Sequence, residues 1–240
     1  MKPVVIFQHT EVGTPGSLPS ILEELGVPWR VIGIMSGEPV PTDPTEFSGL
    51  VFMGGYMSVH DTLPWIGQEI ALIQSAVMAA IPVAGHCLGS QLLAKALGGA
   101  VTKNHMREIG WNDIEVGSTP LAQQWFGCEA GSTQRTFQWH GDTFEIPPGA
   151  ERIASSAYCM NQAFVADGRH LGIQSHFEMT PELVKLSVAR NGHQLDSEER
   201  AGNAACSPRA DVLNSLPQRA ATLRTCLLRL YAQWIRQLAI

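Results

Sequence analysis

The 240 residues are enough for one large domain, and a hydrophobic share of 45% supports a sizeable buried core. Only 16% of the residues are charged, against about 25% in ordinary soluble domains, which excludes a charge-rich disordered chain and a coiled coil. The formal net charge of −6 opposes binding to nucleic acid or to an anionic membrane, so we expect neither as a partner. We predict a single domain over residues 1–240.

The first half of the chain alternates short apolar runs with helical patterns. The apolar runs are typical of strands buried on both faces. The predicted strands are Val4–Phe7, Trp29–Gly33, Gly49–Met53 and Ile81–Ala84, and the predicted helices are Ser17–Leu25, Ile66–Ala80 and Ser90–Leu97. This alternation predicts an α/β fold, a three-layer sandwich in which a central, mostly parallel sheet has helices on both faces.

The second half begins with shorter strands and ends in helices. The predicted strands are Ala100–Lys103, Ile109–Val116, Thr136–His140, Gln162–Ala166 and His170–Ser175, with a hairpin turn at Ala166–Arg169. A helical extension is predicted over about 181–240, and its last part, Ala220–Leu238, is amphipathic. Within it, the polar segment Asn191–Arg209 is predicted to be a surface excursion.

The sequence carries no signal for export, membrane insertion or cofactor binding. The apolar run after Met1 is too short for a signal peptide, and the longest apolar stretch, residues 76–85, is interrupted by Pro82. Nucleotide-binding motifs are missing as well. The cysteines are scattered and odd in number, which argues against a disulfide framework and a zinc ribbon: Cys87, Cys128, Cys159, Cys206 and Cys226. We expect a reduced cytoplasmic protein without a cofactor or a metal ion.

The segment Gly85–Gly89 predicts a reactive cysteine. It follows a predicted strand and opens a predicted helix, which matches the nucleophile elbow pattern with Cys87 as the nucleophile. The two glycines permit close backbone approach, and the helix N-terminus favours a thiolate. The N–H of Leu88 would face a developing oxyanion. The alternative is an ordinary buried cysteine at a strand–helix turn.

Two other strand ends supply groups that such a thiol needs. His176 follows a predicted strand, and Glu178 lies two residues on, where an extended chain places both side chains on one face. The imidazole would act as the base and the carboxylate would orient it, with a chance His-x-Glu pair as the alternative. Gly54 and Gly55 follow another strand and form either a turn that aims N–H groups at the site or a simple loop.

Three further features have less specific patterns. Gln91 lies one helical turn after Cys87 and would either bind an amide or carboxylate substrate or cap a surface. The segment Trp139–Asp142 lacks the spacing of a zinc site, so a metal ion is not expected there. His86 precedes Cys87, so we expect its side chain to point away from the thiol and to be a hydrogen-bonded packing residue rather than the base.

Several motifs between about Phe47 and Glu178 resemble, in their order, those of class I glutamine amidotransferase domains of the GMP-synthase-like branch. They are Met53–Ser58, Gly85–Leu92, Ala96–Gly99, Glu108–Trp111, Trp139–Asp142, Asn161–Phe164 and Gly172–Glu178. The resemblance implies the flavodoxin-like fold of that family. It also implies a Cys–His–Glu catalytic triad, which matches Cys87, His176 and Glu178.

The same resemblance implies an oxyanion hole and a segment that holds glutamine. The corresponding residues are Gly55 and Leu88 for the oxyanion hole, and Gln91, Trp139, His140, Gly141 and Asp142 for the substrate. Four positions depart from the family pattern. Ser175 and Phe177 replace a phenylalanine and a proline, His86 replaces a residue that is commonly aliphatic, and Tyr56 one that is often proline. These departures bear on the shape of the pocket.

The activity implied by the resemblance is release of ammonia from the γ-carboxamide of glutamine through a cysteinyl thioester. A stand-alone γ-glutamyl peptidase or hydrolase and a non-enzymatic regulatory protein on the same fold remain alternatives. An α/β-hydrolase with a cysteine nucleophile is disfavoured, because there the acidic residue precedes the histidine, whereas Glu178 follows His176.

The ligand we expect is glutamine or another γ-glutamyl compound. The amidotransferase-like domain and the helices after it account for all 240 residues, which leaves no room for a synthetase domain. We therefore expect either a separate ammonia-accepting synthetase subunit or a stand-alone hydrolase, and a homodimer is compatible with the sequence.

Overall fold

The structure, a computed structural model, describes residues 1–238. Its strands are β1 (Val4–Gln8), β2 (Trp29–Gly33), β3 (Gly49–Phe52), β4 (Val83–His86), β5 (Val101–Val116), β6 (Thr133–Phe144), β7 (Ala150–Ser156), β8 (Ala163–Ala166) and β9 (His170–Ile173). Its α-helices are α1 (Leu18–Glu24), α2 (Pro64–Met78), α3 (Leu88–Ala96), α4 (Pro120–Phe126), α5 (Pro181–Arg200), α6 (Arg209–Val212) and α7 (Leu216–Trp234). The last two residues of the predicted extension over 181–240 lie outside the described residues.

All of these strands belong to one sheet, in the order β2-β1-β3-β4-β9-β8-β7-β5-β6. The first five are parallel to one another, with the crossover pattern of a flavodoxin-like sheet, and the other four continue the sheet in antiparallel pairs. The turn predicted at Ala166–Arg169 joins β8 to β9. Its central residues, Asp167 and Gly168, have φ angles of +51° and +66°, as a type I′ turn requires, and the Arg169 N–H donates to the carbonyl of Ala166 at 3.0 Å.

Two helical layers cover the two faces of the sheet. Val4 and Ile6 of β1 belong to a core formed with α1, α4, α5 and α7, whereas Val5 and Phe7 belong to a core formed with α2 and α3. All four side chains are completely buried, which explains why β1 has a continuous apolar sequence. The predicted three-layer α/β sandwich is confirmed.

The predicted boundaries around the fourth strand are wrong. β4 begins at Val83 rather than Ile81, because Pro82 has no N–H for the ladder, and it continues to His86. α3 then begins at Leu88, two residues before the predicted start at Ser90. The strand and the helix are therefore separated by Cys87 alone.

The antiparallel strands are also longer than the sequence predicts. Ala100–Lys103 and Ile109–Val116 were expected to be separate strands, but they form one strand, β5, whose register shifts between Lys103 and Glu108. Its partner β6 extends beyond Thr136–His140 at both ends. β7 has no sequence signal, since most of its residues are small or charged and lack apolar alternation.

The prediction of a surface excursion over Asn191–Arg209 is wrong for its first half. Residues 191–200 complete α5, and the chain leaves the helix only after Arg200. The composition of this helix is polar, but one face is buried at helical spacing through Val184, Val188, Gly192 and Leu195. No helix within residues 1–238 is long and apolar enough to cross a membrane.

The buried face of α7 predicts how much individual side chains of this helix contribute to the stability of the fold. Leu227 is completely buried, so Leu227→Ala should lower the free energy of unfolding by about 2–5 kcal/mol through loss of contacts and a residual cavity. Thr225 lies on the exposed side of the same helix. Thr225→Ala should therefore change the free energy of unfolding by less than about 0.5 kcal/mol. Urea unfolding followed by circular dichroism measures both values, and equal losses would contradict this orientation of α7.

Candidate active site

Cys87 lies in a strained turn between β4 and α3. Its φ and ψ angles are +49° and −108°, a conformation that residues other than glycine rarely adopt. The Cys87 N–H donates to the carbonyl of Ile173 on β9 at 2.8 Å, which fixes the turn to the neighbouring strand. The thiol stands at the N-terminus of α3 and is 6% exposed, so the predicted nucleophile elbow is present in the backbone geometry.

The two glycines of this turn allow three backbone segments to meet. A Cβ atom on Gly85 would overlap the carbonyl of Gly89, and a Cβ on Gly89 would overlap the carbonyl of Phe52 at the end of β3. No side chain could be accommodated without moving backbone. The close contact of β3, β4 and α3 therefore requires glycine at both positions.

His176 and Glu178 lie beside the thiol. His176 Nδ1 and Glu178 Oε1 are 2.6 Å apart. The backbone N–H of His176 donates to the carbonyl of Phe137 on β6 at 2.8 Å. Gly54 leaves room between the imidazole and the nucleophile, since a Cβ there would lie 3.0 Å from His176 Cε1 and 3.5 Å from Cys87 Cβ. The structure thus brings together the three residues that the sequence assigned to one site.

Charge interactions decide the protonation of this group. Burial alone would lower the pKa of His176, but the charges of Glu178 and Cys87 and the hydrogen bonds to them outweigh burial and raise that pKa well above its usual value. Burial alone would raise the pKa of Glu178, but the charges and hydrogen bonds of His176 and His86 outweigh it and hold that pKa far below its usual range. These shifts favour a protonated His176 imidazole beside an ionised Glu178 carboxylate.

Gly55 and Leu88 line the same cavity as Cys87. Within the described chain, neither of their backbone N–H groups donates a hydrogen bond to a protein acceptor. Leu88 is the first residue of α3, where the free N–H and the helix dipole favour negative charge. Both N–H groups are therefore available for an oxyanion.

The turn that carries Gly55 is held by a buried, hydrogen-bonded histidine–glutamate pair that the sequence did not reveal. His9 Nδ1 is 3.0 Å from the carbonyl oxygen of Met53, and its Nε2 is 2.9 Å from Glu69 Oε2. Burial raises the pKa of Glu69, and the charge and hydrogen bond of His9 oppose that shift. The pair fixes the peptide immediately before Gly54.

A cavity of about 220 Å³ opens in front of the thiol. Its lining includes every substrate-holding residue predicted from the sequence: Gln91, Trp139, His140, Gly141 and Asp142. Glu178 does not line it and stands behind His176. Three residues of the lining, Ser187, Asn191 and Gln194, come from α5. Asn191 and Gln194 fall within the predicted surface excursion, and that prediction concealed their place at the site.

Gln91 and His140 do not present free side chains to this cavity. Gln91 Nε2 donates to the carbonyl of Asp142 at 3.3 Å and to Gln174 Oε1 at 3.1 Å. Both ring nitrogens of His140 are hydrogen-bonded, with Nδ1 2.9 Å from the carbonyl of Asp142 and Nε2 2.9 Å from Glu108 Oε2. Both side chains therefore support the backbone of the segment Trp139–Asp142.

Glu108, His140 and Cys159 form a buried group whose ligand atoms could surround a metal ion. The carboxylate already has donors other than His140, because Gln162 Nε2 lies 2.7 Å from one oxygen and Ser156 Oγ lies 3.0 Å from the other. Burial raises the pKa of Cys159 to about 11, which disfavours a thiolate ligand. The group is accounted for as a hydrogen-bonded support of the cavity wall.

Comparison with known proteins agrees with this arrangement. The sequence model of the family described as Glutamine amidotransferase class-I matches residues 17–194. The chain belongs to the class I glutamine amidotransferase family. A crystal structure of a glutamine amido transferase from Methylobacillus flagellatus is 38% identical, with a TM-score of 0.95, and the match covers 100% of this chain and 96% of that one. A glutamine amidotransferase from Thermotoga maritima is 30% identical, with a TM-score of 0.84 and 97% of both chains covered.

Curated relatives fall into two groups by length. The glutamine amidotransferase-like protein YfeJ of Salmonella typhimurium is 30% identical over 192 residues, which are 78% of this chain and 80% of YfeJ. A GMP synthase from Paraburkholderia phymatum is 30% identical over 139 residues, which are 55% of this chain but 25% of that protein. The chain therefore spans about a quarter of the length of the GMP synthases that it matches.

The departures of this chain from the family pattern fall on both sides of the site. Ser175 and Phe177 are completely buried, and the Phe177 ring packs at 6.3 Å from that of Phe126. Tyr56 lies on the rim of the cavity and donates to Glu11 Oε1 at 3.0 Å. His86 is completely buried, points away from the cavity and is hydrogen-bonded at both ring nitrogens, as predicted.

Substitution of Gly89 tests the backbone packing of the elbow in this chain. Gly89→Ala should lower the free energy of unfolding by about 1–3 kcal/mol, because its Cβ would overlap the carbonyl of Phe52. Gly67→Ala on α2 is the matched control, since a Cβ there has open space, and it should leave stability unchanged or slightly increased. Denaturant unfolding compares the two variants, and an undiminished stability of Gly89→Ala would refute the packing.

Proposed function

We propose that this chain hydrolyses the γ-carboxamide of glutamine to glutamate and ammonia through a covalent intermediate on Cys87. The observation that carries the proposal is the strained Cys87 at a helix N-terminus, beside the His176–Glu178 pair, in one cavity with two unpaired backbone N–H groups. A nucleophile, a base, a group that orients the base and an oxyanion site are the parts that acyl transfer requires.

In the acylation half of the proposed reaction, the Cys87 thiolate attacks the γ-carbonyl carbon of glutamine. The carbonyl oxygen becomes an oxyanion and accepts hydrogen bonds from the N–H groups of Gly55 and Leu88. His176 gives its proton to the nitrogen as the C–N bond breaks, and ammonia leaves. The product is a γ-glutamyl thioester on Cys87 with a neutral His176.

In the second half, His176 takes a proton from water as the water oxygen attacks the thioester carbon. The same two N–H groups receive the oxyanion, and its collapse breaks the C–S bond and releases glutamate. Glu178 remains ionised throughout and keeps the Nδ1–H of His176 directed at itself. The raised pKa of His176 and the lowered pKa of Glu178 support these roles.

The ammonia acceptor is proposed to be a separate synthetase subunit. The GMP synthases that this chain matches are about four times the length of the matched part, so the match does not extend over most of those proteins. A stand-alone hydrolase is the alternative for a chain similar in extent to YfeJ. All five cysteines are free, which supports a reducing compartment, and we propose the cytoplasm.

One observation favours a γ-glutamyl peptide as a second candidate substrate. Lys103 and Arg107 lie on the lining of the cavity, and Lys103 Nζ is already paired with Asp142 Oδ1 at 2.7 Å. Within residues 1–238, the ion-pair contact of the Arg107 guanidinium is a long one, 3.9 Å to Glu198 Oε1. A peptide with a carboxylate beyond the scissile bond has a group that such a cation would bind.

Removal of the nucleophile is the direct test of the proposed reaction. Cys87→Ala should abolish glutamine hydrolysis and covalent labelling by a glutamine analogue with an electrophilic γ-carbon, since no thiolate remains to be acylated. The control is Cys206→Ala, because Cys206 does not line the cavity and burial raises its pKa to about 11. Ammonia release and mass spectrometry of the labelled protein are the measurements. Near-normal hydrolysis by Cys87→Ala would refute the proposal, and an unlabelled, inactive natural chain would favour a non-enzymatic protein.

A substrate panel separates the two candidate activities. We expect kcat/KM for glutamine to exceed that for γ-glutamyl dipeptides by about tenfold or more, because the leaving group in the proposed reaction is ammonia. Arg107→Gln should leave the value for glutamine within about twofold and lower only that for acidic γ-glutamyl compounds. A higher kcat/KM for a dipeptide, lost in Arg107→Gln, would establish the peptidase instead.

A further inference from the structure

Glu178 has a second hydrogen-bond partner besides His176. One carboxylate oxygen, Oε1, faces His176 Nδ1, and the other, Oε2, lies 3.1 Å from His86 Nδ1. The opposite ring nitrogen of His86, Nε2, lies 2.8 Å from the hydroxyl oxygen of Tyr231 on α7. Glu178 is 2% exposed, and His86 and Tyr231 are completely buried, so water does not compete for these bonds.

The direction of this chain of hydrogen bonds follows from the donors available. An ionised carboxylate only accepts hydrogen bonds, so the bond between His86 Nδ1 and Glu178 Oε2 is donated by the Nδ1–H. Within residues 1–238, the hydrogen-bond partner of the Tyr231 hydroxyl is His86 Nε2. Burial and the charge of Glu178 raise the pKa of Tyr231 well above its usual value, so its hydroxyl keeps its proton.

His86 is the hydrogen-bond donor to Oε2, the carboxylate oxygen of Glu178 that does not face His176. Among the described residues no other group donates to Oε2. Without His86 this oxygen would be a buried, charged acceptor lacking a partner, and the carboxylate would be free to rotate about its last side-chain bond. Two fixed donors on opposite oxygens give the carboxylate a single orientation towards His176.

We propose that His86 and Tyr231 are positioning residues that hold Glu178 ionised and correctly oriented towards His176. The proposal rests on the proposed function, because it assigns a task to residues behind the Cys87–His176–Glu178 group. Neither residue touches the cavity. A residue that only packed the core would not require hydrogen-bonding atoms at both ring nitrogens.

Tyr231 makes α7 part of the site. The ring of Tyr231 stacks on His86 at 5.9 Å and meets Trp234 edge-on at 5.4 Å, so its place is fixed by the packing of α7. The hydroxyl therefore reaches His86 only when α7 is docked on the sheet. In this way α7, through Tyr231, which is 145 residues from His86 in sequence, affects the orientation of the Glu178 carboxylate.

Three variants separate positioning from packing. His86→Leu fills the place of the imidazole with an apolar side chain and removes the donor to Glu178. His86→Asn keeps an amide N–H near the place of the imidazole Nδ1, and is the conservative rescue. Tyr231→Phe removes only the hydroxyl and keeps the ring contacts, so it tests the relay even if His86→Leu fails to fold. Tyr158→Phe is the matched control, because Tyr158 lies outside the cavity lining.

Steady-state kinetics gives the first readout. We expect His86→Leu to lower kcat by roughly tenfold, with KM within about twofold, since the cavity is unchanged and only the base is misaligned. Tyr231→Phe should lower kcat less, and His86→Asn should recover most of it. Thermal unfolding of each variant shows whether the fold is intact.

The pH dependence of Cys87 alkylation by iodoacetamide gives a second readout that requires no substrate. The titratable groups that face Glu178 are His176 and His86, with Tyr231 behind His86 and Cys87 in front of His176. Loss of a donor makes Glu178 easier to protonate and weakens the imidazolium that stabilises the thiolate. The midpoint of alkylation should therefore move to higher pH in His86→Leu and Tyr231→Phe, and remain in place in His86→Asn and Tyr158→Phe.

The outcomes distinguish this inference from the proposed function. If folded His86→Leu and Tyr231→Phe keep both the natural kcat and the natural alkylation profile, the positioning role is overturned while the catalytic assignment stands. If the natural chain neither hydrolyses γ-glutamyl compounds nor forms a thioester, the proposed function fails. The alkylation profiles still decide whether His86 and Tyr231 control the state of the Cys87–His176 pair.

Discussion

The backbone at Cys87 is the constraint on which the site depends. A non-glycine residue with φ of +49° and ψ of −108° costs about 1–3 kcal/mol and persists only if the surrounding structure holds it. Here it is held by the contacts of Gly85 and Gly89 with neighbouring backbone and by the hydrogen bond from Cys87 to Ile173. The strain projects the thiol from the sheet edge into the cavity and places it at a helix N-terminus.

The register between two strands of the sheet brings His176, the proposed base, to Cys87. β4 and β9 are parallel neighbours, and Gly85 and His86 pair with Gly172 and Ile173. Both strands end at the same edge of the sheet, so the residues that follow each strand meet there. The antiparallel strand β6 then holds His176 from the other side through the carbonyl of Phe137. A parallel core with an antiparallel extension is therefore what encloses the site.

The parts of the site that lie in short continuous motifs could be predicted from the sequence. Glycines around a cysteine after an apolar strand indicate an elbow, and His-x-Glu places two side chains on one face. Contacts between distant segments left no such signal, as His9 with Glu69 and His86 with Tyr231 show. The polar sequence of α5 was misread for a related reason, because its buried face depends on a packing partner that a linear pattern does not contain.

Buried histidine–glutamate pairs explain how glycine-rich loops around the cavity keep one position. A buried carboxylate is tolerated only with good partners, so each pair fixes the segments that contribute to it. Two such histidines use their second ring nitrogen to hold a backbone carbonyl at the cavity, His9 that of Met53 and His140 that of Asp142. The oxyanion turn and the substrate segment are thereby anchored to the protein interior before any ligand binds. Preorganisation of this kind places the energetic cost of ordering the loops in folding rather than in binding.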